Sequence, residues 1–130
     1  MPQSANLGFP DMDLAGADLS GLDLRCYDLS EVDLSGVNLS GADLSEVNFY
    51  EANLRGAKLY EANIRGAHLR GADLSEANLR VSDLYGAVFC GATIDGAELN
   101  PSDIGGPGHI LYALTEDEAA YIRLLRSRSE

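Results

Sequence analysis

The chain has 130 residues, with 9 Lys and Arg against 21 Asp and Glu, so its formal net charge is -12. A surface this acidic excludes the basic patch that nucleic acids and anionic lipids need, and no apolar run is long enough to cross a bilayer. Two cysteines do not make a disulfide scaffold.

The N-terminal segment 1–11 is predicted to cap the structure that follows it. Met1, Pro2, Gln3 and Ser4 form neither a basic stretch nor an apolar one, so we expect no secretory signal. The expected location is therefore the cytoplasm.

A five-residue period dominates residues 12–105. Every fifth residue from Leu14 to Ile104 is large and apolar, nineteen in all. Two residues before each of these stands a second register, in which eleven of nineteen residues are Ala, and the position between them is Asp or Asn in fourteen cases. The unit is A-(D/N)-L-x-x, with Gly or Glu frequent at its end.

This period fits neither a helix, which repeats every 3.6 residues, nor a strand, which repeats every 2. A short extended piece followed by a turn, wound into stacked coils, allows every Leu to point inward, with Ala filling the remaining space. The sequence therefore predicts an all-β solenoid. Gly, Asp, Asn and Ser supply the turn residues.

The nineteen A-(D/N)-L-x-x units resemble the pentapeptide repeat family. That resemblance implies a right-handed quadrilateral β-helix with four units per coil. Nineteen units would then make about 4.75 coils, or roughly 23 Å of solenoid at the strand spacing. Residues 20 apart would stack, which places Phe9, Leu29, Phe49, Leu69 and Phe89 in one column.

The C-terminal segment 106–130 begins with the Gly/Pro-rich end of the repeat. Residues 115–118 form a capping box, so we predict a short C-terminal α-helix at about 115–127. This segment either covers the last coil or also mediates a weak dimer, and the chain is otherwise expected to be a monomer.

No catalytic or cofactor-binding residues are expected, and we predict no enzymatic activity. His68 and His109 lack the spacing of metal ligands, and Cys26 and Cys90 are expected to be free thiols on different sides. The acidic column formed by Asp23, Asp43, Asn63, Asp83 and Asp103 suggests a Ca²⁺ ladder, but these side chains are better explained as turn acceptors or as groups that face water. We therefore predict no metal site.

Charge is distributed unevenly along the repeat. Residues 11–49 hold nine acids and one base, whereas residues 51–80 hold five bases and four acids. Tyr and Arg, which are enriched at binding surfaces, gather in and around the second stretch. We predict a protein-binding band there; the alternative is an ordinary solvated wall. Its residues are Tyr50, Tyr60, Arg65, Arg70, Arg80 and Tyr85.

Three of the Tyr–Arg combinations in this band are 20 residues apart and are expected to stack as cation–π pairs, or to coincide by chance: Tyr50 with Arg70, Tyr60 with Arg80, and Arg65 with Tyr85.

The predicted function is a non-enzymatic structural or interaction module that binds an unidentified protein partner, without nucleic acid or membrane. The resemblance implies one alternative, a DNA mimic that modulates DNA gyrase or topoisomerase. Duplex DNA has one charge per about 1.7 Å, whereas the acidity of this chain is concentrated at one end, which disfavours the alternative.

Overall fold

The computed structural model describes residues 12–99, and these residues form a solenoid with 20 residues per coil. Isolated parallel β-bridges join each residue of the Asp/Asn register to the residue 20 positions later, from Asp13 with Asp33 to Asn78 with Glu98. The described range thus contains four complete coils and the start of a fifth, with no helix and no longer strand inside it. The predicted segment 1–11 and the helix at 115–127 lie outside the described residues.

Each coil has four sides, and each side is one five-residue unit. Side 1 contains residues 12–16, 32–36, 52–56, 72–76 and 92–96; side 2 contains 17–21, 37–41, 57–61, 77–81 and 97–99. Side 3 contains 22–26, 42–46, 62–66 and 82–86; side 4 contains 27–31, 47–51, 67–71 and 87–91. We number the positions of the unit A-(D/N)-L-x-x from first to fifth.

Each N–H group of the unit 37–41 has a partner, and the same pattern recurs in its neighbours. The N–H of Asn38 donates to the preceding coil, and those of Leu39 and Gly41 donate to the following coil, at 2.8–2.9 Å. The N–H of Val37, the first residue of the unit, donates to the carbonyl of Leu34, the third residue of the preceding unit, at 3.0 Å and so closes a turn. The N–H of Ser40 donates to the side-chain Oδ1 of Asn38 at 3.1 Å.

The corners depend on a left-handed residue at the fifth position. From Gly16 to Gly96 every fifth-position residue has positive φ, in the range 54–75°, and ten of these residues are glycine. Positive φ at the third residue of a four-residue turn is the signature of type II turns. Seven corners use a residue with a Cβ instead: Cys26, Glu31, Glu46, Glu51, Glu61, Glu76 and Val81.

The tube is filled by the first and third positions. Both registers are buried from Leu29 to Ala97, with Ala, Val or, at one position, Ser82 opposite the larger Leu, Ile and Phe. The predicted side 4 column is confirmed for its described members, since Leu29, Phe49, Leu69 and Phe89 are all buried.

The first coil carries large groups at the first position, and Met12, Leu22 and Tyr27 are more than 40% exposed. Its backbone nevertheless keeps the common register, because the N–H of Leu14 and that of Leu24 each bond to the second coil at 2.9 Å. The backbone of the first coil therefore has the same register as the coils that follow, in spite of the larger side chains.

Glutamate at a corner lies over glycine in the next coil. A Cβ added to Gly66, Gly71 or Gly96 would stand 3.0–3.2 Å from the Cγ of the glutamate one coil earlier. At Gly56 nothing lies within 4 Å of an added Cβ. Glycine is therefore needed at some corners for space as well as for φ.

Val81 is the most strained corner by residue type, because it is β-branched and has φ of 64°. Relief of about 1–2 kcal/mol of left-handed strain exceeds the roughly 0.4–1 kcal/mol by which glycine stabilises the unfolded chain. We predict that Val81→Gly raises the free energy of unfolding by about 1 kcal/mol in urea denaturation. Glu61→Gly, at the same corner one coil earlier, should gain less; a destabilised Val81→Gly would contradict the prediction.

Gly71→Ala and Gly56→Ala form a matched pair. Both introduce a Cβ at positive φ, but only Gly71→Ala places it against the Cγ of Glu51. We predict that Gly71→Ala is the more destabilising by about 1 kcal/mol, and that Glu51→Ala in the same chain removes this excess. Equal losses for the two alanine variants, or additivity in the double mutant, would show that the corner glutamate does not restrict the glycine.

Candidate functional site

The second-position side chain completes the hydrogen bonding of the wall. All thirteen Asp and Asn residues of this register between Asp13 and Asp83 accept the N–H of the residue two positions later, in Asx turns of 2.9–3.2 Å. The prediction that these side chains serve the turns is confirmed for the described residues. Five described second positions hold another residue: Lys58, His68, Val88, Thr93 and Glu98.

Serine at the fourth position strengthens the acceptor. The hydroxyl of Ser35 donates to Oδ1 of Asp33 at 2.8 Å, and its N–H donates to the same oxygen at 3.1 Å. These two bonds hold the pKa of Asp33 below its ordinary value, and Ser20 lowers the pKa of Asp18 in the same way. Asp18 and Asp33 are thus stabilised as ionised carboxylates.

The side 3 acidic column is divided between turns and ion pairs. Arg25 makes a two-pronged contact with Asp23 at 2.9 and 3.0 Å, which lowers the pKa of that carboxyl, and it lies 3.7 Å from Asp43. Among residues 12–99 no group of three or more His, Cys, Asp or Glu side chains has metal-site geometry. Cys26 and Cys90 are free, exposed thiols on sides 3 and 4.

The six predicted band residues form three stacked pairs on three consecutive sides, all at the fourth position. Tyr60 and Arg80 are on side 2, Arg65 and Tyr85 on side 3, and Tyr50 and Arg70 on side 4. The three tyrosines are exposed, at 40% for Tyr50 and Tyr60 and 55% for Tyr85. The structure therefore brings the residues together in pairs around the tube and not on one flat face.

Only one of the three pairs makes the predicted cation–π contact within the described chain. The guanidinium carbon of Arg65 lies 5.0 Å from the centroid of the Tyr85 ring. Its Nη1 also lies 3.4 Å from Oδ2 of Asp83. Arg55 is held in the same way by Asp73 on side 1, at 3.5 Å. An outward Arg thus reaches the second position of the next coil, and an Asp there neutralises it.

Side 4 lacks that carboxylate. The second position one coil after Arg70 is Val88, and within residues 12–99 Arg70 has no acid within ion-pair distance. A groove of about 360 Å³ lies beside it, lined by Asn48, Tyr50, His68 and Arg70. Sequence analysis assigned no role to His68, although its interruption of the Asp/Asn register is visible in the sequence.

Two larger open grooves lie elsewhere on the wall. One of about 450 Å³ runs beside Arg65 and Tyr85 and extends to Glu46. The other, of about 520 Å³, is lined by Asp23, Arg25 and their neighbours on sides 3 and 4. In both, an arginine that faces the groove already has an aspartate partner.

Helices with the length and hydropathy of a membrane span are absent from the part of the chain that the structure describes.

The family model for pentapeptide repeats matches residues 28–66 and 67–103, with 8 copies. The chain therefore belongs to the pentapeptide repeat family, whose members form right-handed quadrilateral β-helices. Members of this family are generally non-enzymatic structural modules. No curated protein matches the sequence.

Solved structures of the family superpose on this chain. A pentapeptide repeat protein from the thylakoid lumen of Arabidopsis thaliana is 29% identical, with a TM-score of 0.76, over 94% of this chain and 81% of its own. A pentapeptide repeat protein from Nostoc is 35% identical, with a TM-score of 0.62, over 68% of this chain and 80% of its own. QnrB1, a plasmid-mediated fluoroquinolone resistance protein, is 23% identical with a TM-score of 0.39, too low to bear on the gyrase alternative.

The ionised state of Asp33 should contribute stability only above acidic pH. A lowered pKa in the folded state gives stabilisation that is present above the unfolded value, near 3.9, and is lost as the pH falls through the folded pKa. Asp33→Asn keeps an Oδ1 acceptor but removes the charge. We predict that Asp33→Asn is less stable than the natural chain at pH 7, and that this difference is smaller at about pH 2.5, below the unfolded-state pKa of the carboxyl.

Urea unfolding at both pH values measures this difference, and Ser35→Ala tests its cause. In the Ser35→Ala background the effect of Asp33→Asn at pH 7 should shrink, because the hydroxyl donor is gone. A penalty for Asp33→Asn that is equal at both pH values would contradict the prediction.

Proposed function

We propose that this solenoid is a non-enzymatic interaction module that binds another protein through the Tyr/Arg band on sides 2, 3 and 4. The observation that carries the proposal is the exposure of Tyr50, Tyr60 and Tyr85, each of which lies one coil away from an arginine on the same side. Tyr and Arg supply much of the binding energy at protein interfaces.

The rigidity of the wall supports this proposal. The backbone carbonyl of each band residue accepts an N–H from the preceding coil, as that of Arg70 does from Glu51 at 2.9 Å. A surface that is already ordered loses little conformational entropy on binding. The location in the cytoplasm and the weak dimer through the C-terminal helix stay predictions.

A sixfold alanine variant tests the proposal. We expect proteins that the full chain retains from extracts of its native host to be lost when the six band residues are replaced by alanine. The matched control replaces six fourth-position serines, which share the same outward register: Ser20, Ser30, Ser35, Ser40, Ser45 and Ser75. The retained proteins are identified by mass spectrometry.

Two outcomes would count against the proposal. The first is that the sixfold band variant retains the same proteins as the natural chain while remaining folded by circular dichroism. The second is inhibition of gyrase supercoiling by purified protein that survives the six substitutions, because this would favour the DNA-mimic alternative.

A further inference from the structure

Side 4 carries a backbone donor that an Asx turn pairs in thirteen other units; among residues 12–99 the N–H groups of Tyr60 and Asp95, which follow Lys58 and Thr93, also lack an acceptor. In an Asx turn the second-position oxygen accepts the N–H of the fourth residue, as Asn48 does for Tyr50 at 2.9 Å. One coil later the second position is His68, and the N–H of Arg70 has no acceptor among residues 12–99. In the following coil the second position is Val88, and the N–H of Cys90 also has no acceptor among residues 12–99.

The side chain of Arg70 is free as well. Arg55 and Arg65 lie 3.5 and 3.4 Å from aspartates at the second position of the next coil. The equivalent residue for Arg70 is Val88, which is 40% exposed. Within the described range, one residue therefore presents an unpaired guanidinium and an unpaired N–H on the same side.

The open groove beside Arg70 gives a ligand access to these donors. It has a volume of about 360 Å³, and Tyr50 and His68 add a phenol and an imidazole to its lining. The nearest corner acid, Glu51, folds over Gly71, where an added Cβ would stand 3.0 Å from its Cγ. It makes no ion pair with Arg70.

We propose that this groove binds the carboxylate of an Asp or Glu side chain from an acidic segment of a partner protein. In thirteen units an internal Asp or Asn provides the acceptor for the fourth N–H, and on side 4 the partner's carboxylate takes its place. The guanidinium of Arg70 supplies the ion pair that Asp73 and Asp83 supply to their own arginines. The inference rests on the proposed function and names the partner chemistry at one of its three pairs.

Amide chemical shifts of the full ¹⁵N-labelled chain test the site directly. We expect the N-acetyl amide of glutamate to shift the Arg70 amide resonance saturably, whereas the glutamine analogue and sodium chloride at equal ionic strength do not. The Arg80 amide, which is bonded to Oδ1 of Asn78 at 3.0 Å, is the internal reference and should stay unchanged.

Three variants test whether the free N–H and the guanidinium of Arg70 bind the probe. His68→Asn installs the acceptor that thirteen other units have, and should abolish the response of Arg70. Lys58→Asn makes the equivalent change on side 2 and should leave the response intact. Arg70→Gln should weaken binding by about tenfold while keeping the N–H.

The proposal is overturned if the glutamate probe moves the Arg70 amide no more than the glutamine probe, if His68→Asn responds like the natural chain, or if inorganic phosphate gives the stronger response. In the retention experiment with host extracts, His68→Asn tests the carboxylate site and the sixfold band variant tests the interaction module. Loss with the band variant but not with His68→Asn would leave the interaction module standing and remove the carboxylate site.

Discussion

The structure depends on one constraint: a chain that turns every five residues must still satisfy its backbone N–H groups. Neighbouring coils accept three of them in the unit 37–41, the turn takes one, and the Asx side chain takes the last. The left-handed fifth residue makes the turn sharp enough for the first and third positions to face inward together. The Leu/Ala core therefore follows from the hydrogen bonding of the corners.

The structural roles of the five positions in each unit determine where a functional site can form. The first and third positions are committed to the core, and the fifth is restricted by positive φ. Only the second and fourth positions vary without disturbing the coil, and they lie side by side on the wall. Replacing a second-position acid removes a turn acceptor and also frees the arginine that the acid would have neutralised, as Val88 does for Arg70. The single residue Val88 thus gives up some stability and leaves two donors, the N–H of Cys90 and the guanidinium of Arg70, while the free N–H of Arg70 follows from His68.

The repeat was predictable from the sequence because its signal is repeated in every unit. The inward registers depend on residue size and period, whereas the 20-residue stacking and the side 4 Phe/Leu column follow from the four units per coil that the family resemblance implies. The structure has all three. The behaviour of the Tyr/Arg pairs was not predictable from spacing alone. Arg65 has both Tyr85 and Asp83 within reach, whereas Arg70 has neither contact. That outcome depends on the side-chain conformation and on the second-position residue of the next coil.

The net charge of -12 is also explained by the turns. Most acids of the first two coils are second-position turn acceptors, and Ser35 and Arg25 are among the groups that stabilise them in ionised form. Asn serves the N–H equally well in Asx turns, so the charge is not required by the fold. Where Asn, Lys and His replace Asp, the wall changes from acidic to near neutral without any change of backbone register. Charge and shape are therefore set independently in this solenoid, and this allows one side to recognise an acidic partner although the chain as a whole repels it.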